Sequence, residues 1–98
     1  MGGDMSDAVL VIHHRDNVAV ALRDLEAGEE IAFSADSEPL TVLEPVPASH
    51  KLALRDIVEG EEIIKYGEAV GVGTTLIRQG AWVHTHNLES GQWRVSRQ

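Results

Sequence analysis

The chain has 98 residues, a formal charge of −8 and no cysteine. That length makes one small domain with a modest core, and the missing thiols exclude a disulfide framework and thiolate metal sites. The acidic balance speaks against nucleic acid and anionic membranes as partners, because both reward a basic face, and an anionic ligand would need a local basic pocket.

Residues 1–7 are polar and Gly-rich, which predicts disorder. They carry no basic n-region and no apolar h-region, so no secretory signal is read and the cytoplasm is the expected compartment. The longest apolar run, residues 8–12, is far too short to span a bilayer. Residues 8–13 read as a strand rich in Val and Ile. His13 and His14 close it as neighbours, which puts them on opposite strand faces. Turn chemistry at residues 14–17 precedes a second short apolar run over 18–22. A turn centred on Gly28, a strand resuming at Ile31, a polar loop over 34–39 and an extended stretch over 40–46 follow. Pro45 and Pro47 keep that last stretch out of a helix.

The pattern then restarts. Residues 21–31 (ALRDLEAGEEI) match residues 53–63 (ALRDIVEGEEI) at an offset of 32, with eight of eleven positions identical. A weaker third copy spans Ile77, Gly80 and Val83. The unit is aliphatic-x-x-Gly-x-x-aliphatic: the first aliphatic plugs a core, the glycine makes a turn that a Cβ would hinder, and the second aliphatic starts the outgoing strand. Such a unit predicts a mostly β, pseudo-twofold domain of short strands. One or two short helical turns are expected at residues 23–25 and 55–57. A helix over 21–31 is the competing reading, disfavoured by Gly28.

The residues with most chemistry lie at 82–87, Trp-Val-His-Thr-His-Asn. Read as a strand, this stretch points His84 and His86 to one face, where two imidazoles can grip a metal or a carboxylate. A full metal site needs a third ligand, for which His50 is the natural imidazole. A His-x-His pair taken alone is more often structural. His50 and Lys51 precede the second repeat, and the lysine suits a substrate carboxylate, although an exposed loop lysine is the blander alternative. Lys65 and Tyr66 stand where the repeat symmetry breaks, and offer an anion-binding cation and a hydrogen-bond donor; a protective lysine on an edge strand competes with that reading. Trp82 reads as core or interface, and Trp93 lies in a polar tail over 89–98. No phosphate loop, nucleophile elbow or HExxH is present.

Four blocks in order, DNVAVAL (16–22), PVPASHKLALRDI (45–57), IKYGEAVG (64–71) and GAWVHTHN (80–87), resemble the N-terminal SAF-type domain of the altronate/galactarate dehydratase family. The resemblance covers residues 9–88 and implies a SAF-type, antifreeze-like β-clip fold over 8–88. Where the family runs Pro-Ala-Gly-His, this chain has Pro47-Ala48-Ser49-His50. The family implies a metal-dependent lyase that removes water or sulfite from a hydroxy acid by β-elimination, with iron or manganese as the divalent ion. Full-length members carry a much larger second domain, which this chain lacks. Its size is similar to that of the alpha subunit of a sulfolactate sulfo-lyase. The resemblance therefore implies a large catalytic subunit as partner and a small anionic hydroxy acid as substrate. It places His84 and His86 as catalytic or metal-contacting residues, with His50, Lys51, Lys65, Tyr66 and Asn87 around the substrate. A homo-oligomer through Trp82 and the tail is a further expectation. A non-catalytic SAF-type binding module is the alternative; an excised domain is a third reading, against which the charged tail is read as a terminus.

Overall fold

The computed structural model describes residues 8–33 and 38–90. The segments expected to be disordered or tail-like, with Trp93, lie outside these residues, as does most of the polar loop after Phe33. Among the described residues there are nine short strands: β1 (Val9–Leu10), β2 (Val18–Ala21), β3 (Glu30–Ile31), β4 (Leu40–Thr41), β5 (Lys51–Ala53), β6 (Glu62–Lys65), β7 (Glu68–Gly73), β8 (Trp82–Val83) and β9 (Leu88–Ser90). They form a four-stranded sheet in the order β1-β2-β5-β8, a β3-β4 pair and a three-stranded sheet in the order β6-β7-β9. Every pairing is antiparallel. No helix occurs among the described residues. In particular, none is long and apolar enough to cross a membrane.

The four-stranded sheet divides the core in two, and its register says how. Directly paired residues share a face, so the row Ala19, Leu52, Trp82 points one way and the row Val18, Ala53 points the other. The first face packs with Val9, Ala21, Ile31, Leu40 and Val42. The second packs with Ile57, Ile63, Ile77 and Val83. The β3-β4 pair thus covers one side and the β6-β7-β9 sheet the other.

The expected helical turns at 23–25 and 55–57 are absent; the chain bends at Arg23 and Arg55 and is then extended. Leu25 instead pairs with Val46, and Ile57 with Ile77, as isolated bridges. Each bridge carries backbone hydrogen bonds both ways, which fixes an extended conformation that a helical turn could not supply. The two repeat copies also make the same side-chain bonds. Arg23 pairs with Glu29 at 2.9 Å and Arg55 with Glu61 at 2.6 Å. Asp24 accepts the N–H of Ala48, as Asp56 accepts that of Gln79.

Among the described residues the corner unit occurs four times, not three. Residues 26–29, 47–50, 58–61 and 78–81 each close a turn in which the fourth N–H donates to the first carbonyl. The third residue has positive φ in all four: Gly28, Ser49, Gly60 and Gly80. The unrecognised copy is Val46-x-x-Ser49-x-x-Leu52, whose two aliphatics are both buried. Serine in the glycine's place hid it, although the spacing of Val46 and Leu52 carried the signal.

Asn17 is a second feature missed in the sequence, where it reads as turn chemistry. It is 1% exposed. β6 is the outer strand of its three-stranded sheet, and Asn17 lies against it, with its N–H donating to the Ile64 carbonyl at 3.1 Å. Its Oδ1 accepts the N–H of Ile64 at 2.7 Å, and its Nδ2 donates to the Glu62 carbonyl at 2.9 Å. The side chain thereby bonds two backbone groups of β6 and ties β2 to it.

Candidate functional site

The candidate site lies at the end of the four-stranded sheet where β5 begins and β8 finishes. Only Trp82 and Val83 are strand; the chain then turns over 84–87. The strand expected through Asn87 is therefore corrected, and the cause is Asn87 itself. This residue is buried, and its Oδ1 accepts the N–H of His84 at 2.9 Å while its Nδ2 donates to the Trp82 carbonyl at 2.9 Å. Its own N–H donates to the His84 carbonyl at 3.0 Å. An Asn side chain that bonds its own backbone in this way competes with a sheet ladder and wins a turn. Asn87 builds the site from beneath it.

His84 and His86 are brought together by this turn, against the indole of Trp82. The His84 ring stacks on it at 5.3 Å between centroids with planes 9° apart. The His86 ring meets it at 5.1 Å and 49°. His50 joins from the start of β5, with its ring 5.6 Å from the indole and 4.6 Å from His84. The indole N–H of Trp82 donates to His50 Nδ1 at 3.1 Å. Trp82 is half-buried against the first core and is the centre of the site as well as part of the core. Its backbone N–H is held by Glu44 Oε2 at 3.0 Å.

Lys51 alternates with His50 along β5 and leaves the other face, the side on which β6 packs. Burial first, and then the positive charge of Lys65, holds its ammonium below the usual lysine range. Lys65 ends β6, with its Nζ 5.1 Å from the centre of the Tyr66 ring. His84 is also held below its ordinary value, first by loss of hydration and then by the charges of His50, Lys51 and His86. Lys51 thus feels the charge of Lys65, and His84 feels those of His50, Lys51 and His86.

Tyr66 sits at the tip of the β6-β7 hairpin. Tyr66 and Gly67 have φ of 58° and 80°, the two positive values of a type I′ turn. Asp16 anchors this tip, accepting the Gly67 N–H at 2.8 Å with one oxygen and the His13 N–H at 3.1 Å with the other. Burial pushes the Asp16 carboxyl up, but backbone donors from Gly67, His13, Tyr66 and Ile12 outweigh it and leave the group below the usual range. The phenol of Tyr66 is exposed and makes no described contact with the imidazoles.

His13 and His14 do not end on opposite faces. The backbone turns there, with the Asp16 N–H on the His13 carbonyl, and the two rings stack at 4.5 Å. They line an open hollow of about 420 Å³ with Val11, Ile12, Asp16, Phe33 and Leu54. That hollow shares no lining residue with the Trp82 cluster.

Among the described residues, no group of three or more His, Cys, Asp and Glu side chains is arranged to hold a metal ion. His50 Nδ1 is already engaged by the indole. Iron or manganese therefore does not find a three-donor centre within these residues, although His84 and His86 keep ring nitrogens without a described hydrogen bond.

Residues 7–91 match the family of the altronate/galactarate dehydratase SAF domain. The chain is 46% identical over 79 residues to an altronate dehydratase of Escherichia coli K12, covering 81% of this chain and 16% of that protein. It is 35% identical over 89 residues to the (2R)-sulfolactate sulfo-lyase subunit alpha of Chromohalobacter salexigens, covering 85% of this chain and 95% of that subunit. It is 38% identical over 74 residues to an Escherichia coli galactarate dehydratase, of which the match spans 13%. The chain thus spans about one sixth of the altronate dehydratase and nearly the whole of the sulfo-lyase subunit.

Proposed function

This chain belongs to the altronate/galactarate dehydratase SAF-domain family, and from that premise we propose that it is the small subunit of a two-chain lyase. In this reading it acts on a hydroxy acid by β-elimination, at a site that a larger catalytic chain completes. The observation that supports the reading is the match to a sulfo-lyase subunit alpha, at 35% identity across 95% of that subunit.

These lysines and imidazoles give the reading its chemistry. Lys51 and Lys65 receive a substrate carboxylate as point charges. His50, His84 and His86 surround the hydroxy-bearing end, where an unprotonated imidazole can take a proton. Asn87 acts by holding the turn, and Tyr66 forms the rim. The divalent ion expected from the family belongs to the larger chain in this reading, because the described residues offer no three-donor set.

The test is co-purification of the tagged chain from its native cells, followed by a lyase assay on the eluate with altronate, galactarate and sulfolactate. A larger chain of the same family co-eluting with water- or sulfite-releasing activity is the expected result. His84→Ala and His86→Ala should abolish turnover and leave co-elution intact. A chain that elutes alone and stays inactive when supplied with a larger family member is a stand-alone binding module.

A further inference from the structure

Trp82 makes one contact that neither stacking nor core packing requires. An indole N–H can donate a hydrogen bond and cannot accept one, so the imidazole nitrogen it meets must be the one without a proton. The Trp82 Nε1–His50 Nδ1 distance is 3.1 Å. The proton of neutral His50 then resides on Nε2. A further proton at Nδ1 would set two donors face to face and expel the indole.

We propose that Trp82 is a positioning residue: its indole N–H fixes His50 as the Nε2–H tautomer, making it a hydrogen-bond donor rather than a proton acceptor toward an anion at the cluster. This inference rests on the lyase reading only for the identity of that anion. The same geometry divides the labour among the three imidazoles. His84 and His86 also lie against the indole, but by ring contact, and no described residue hydrogen-bonds to their ring nitrogens. Proton acceptance thus falls to them. The charged and titratable groups near this cluster are Lys51, next to His50 in the chain, His84 and His86 on the turn, and Glu44, whose carboxylate accepts the Trp82 backbone N–H.

The test is nuclear magnetic resonance of the nitrogen-labelled 98-residue chain, using long-range proton–nitrogen correlations of the imidazole rings near neutral pH. His50 is expected to show a protonated Nε2 and a hydrogen-bonded, unprotonated Nδ1. Trp82→Phe keeps an aromatic side chain at this position and removes the N–H donor along with the smaller ring that carries it. In that variant the hydrogen-bond signature at Nδ1 should vanish and His50 should sample both tautomers. A wild-type spectrum with a proton on Nδ1 overturns the proposal, and that spectrum decides the point even where Trp82→Phe fails to fold. A folded Trp82→Phe chain with an unchanged His50 pattern overturns the indole as its cause. Because the readout needs no turnover, a failed lyase assay leaves this result standing, and a failed spectrum leaves the lyase reading standing.

Discussion

Replacing Asn17 by alanine removes two side-chain hydrogen bonds to β6. The Ile64 N–H loses its acceptor at 2.7 Å, and the Glu62 carbonyl loses one donor at 2.9 Å. The first group is buried, and leaving a buried donor unsatisfied costs about 1–3 kcal/mol. The second is half-buried, where water offsets part of the loss, so about 0.5–1.5 kcal/mol is expected. Together they remove about 2–4 kcal/mol, a large fraction of the roughly 5–15 kcal/mol that holds a small domain. For a chain of this size the thermal midpoint should fall by about 10–25 °C. Thermal and urea melts measure the global loss, and hydrogen exchange at the Ile64 amide reads the local one. Asn17→Asp sharpens the test. Its carboxylate still accepts from Ile64 but sets negative oxygen against the Glu62 carbonyl, so its folded pKa lies above the unfolded value of about 3.9. The folded state then holds more protons than the unfolded one. The variant's stability relative to wild type should therefore be greatest below that unfolded value and decline as pH rises through the folded one. A loss below about 0.5 kcal/mol in Asn17→Ala, under the cost of a single unsatisfied buried group, would refute the argument from these two bonds, as would a pH trend of opposite sign in Asn17→Asp.

Three further predictions concern the corners and the imidazoles. Ser49 holds φ at 74°, so Ser49→Gly should stabilise the chain by up to about 1 kcal/mol and Ser49→Val should destabilise it by about 1–2 kcal/mol; equal urea midpoints for the two variants would remove the strain argument. Gly60 and Gly80 both have positive φ, but a Cβ on Gly60 meets nothing within 4 Å, whereas one on Gly80 collides with the Thr41 carbonyl oxygen. Gly60→Ala should cost about 1 kcal/mol and Gly80→Ala clearly more, in parallel denaturant titrations. His84 is held below its ordinary value by lost hydration and then by the charges of His50, Lys51 and His86. The unfolded chain therefore binds more protons at His84 just below the ordinary histidine value, and its contribution to stability declines as pH falls through that range. Lys51→Gln should raise the His84 titration midpoint read by resonance shifts; an unmoved midpoint would separate Lys51 from the imidazoles.

Much of the fold was legible because corners leave a local signature. The eleven-residue repeat and its glycines gave the turns, and a β domain of short strands follows from them. The helical turns failed because Leu25 and Ile57 each have a bridging partner about 20 residues away, which local propensity does not see. The fourth corner escaped because Ser49 tolerates, at some strain, a conformation that glycine takes freely. His84 and His86 were paired by the wrong geometry: strand alternation suggested it, but a turn closed by Asn87 and a shared indole produce it.

By itself the sequence determined the chemical inventory: the β class, the corner spacing, the histidines, the lysines and the four family blocks. Only the tertiary structure decided that Trp82 is the hub, that Asn17 bonds the backbone of β6 and that His50 meets the indole. The physical reason is range. Turn and strand preferences act over a few residues, whereas the Trp82–His50 bond and the Asn17–Ile64 bond join residues 32 and 47 positions apart, and such partners are chosen by packing alone.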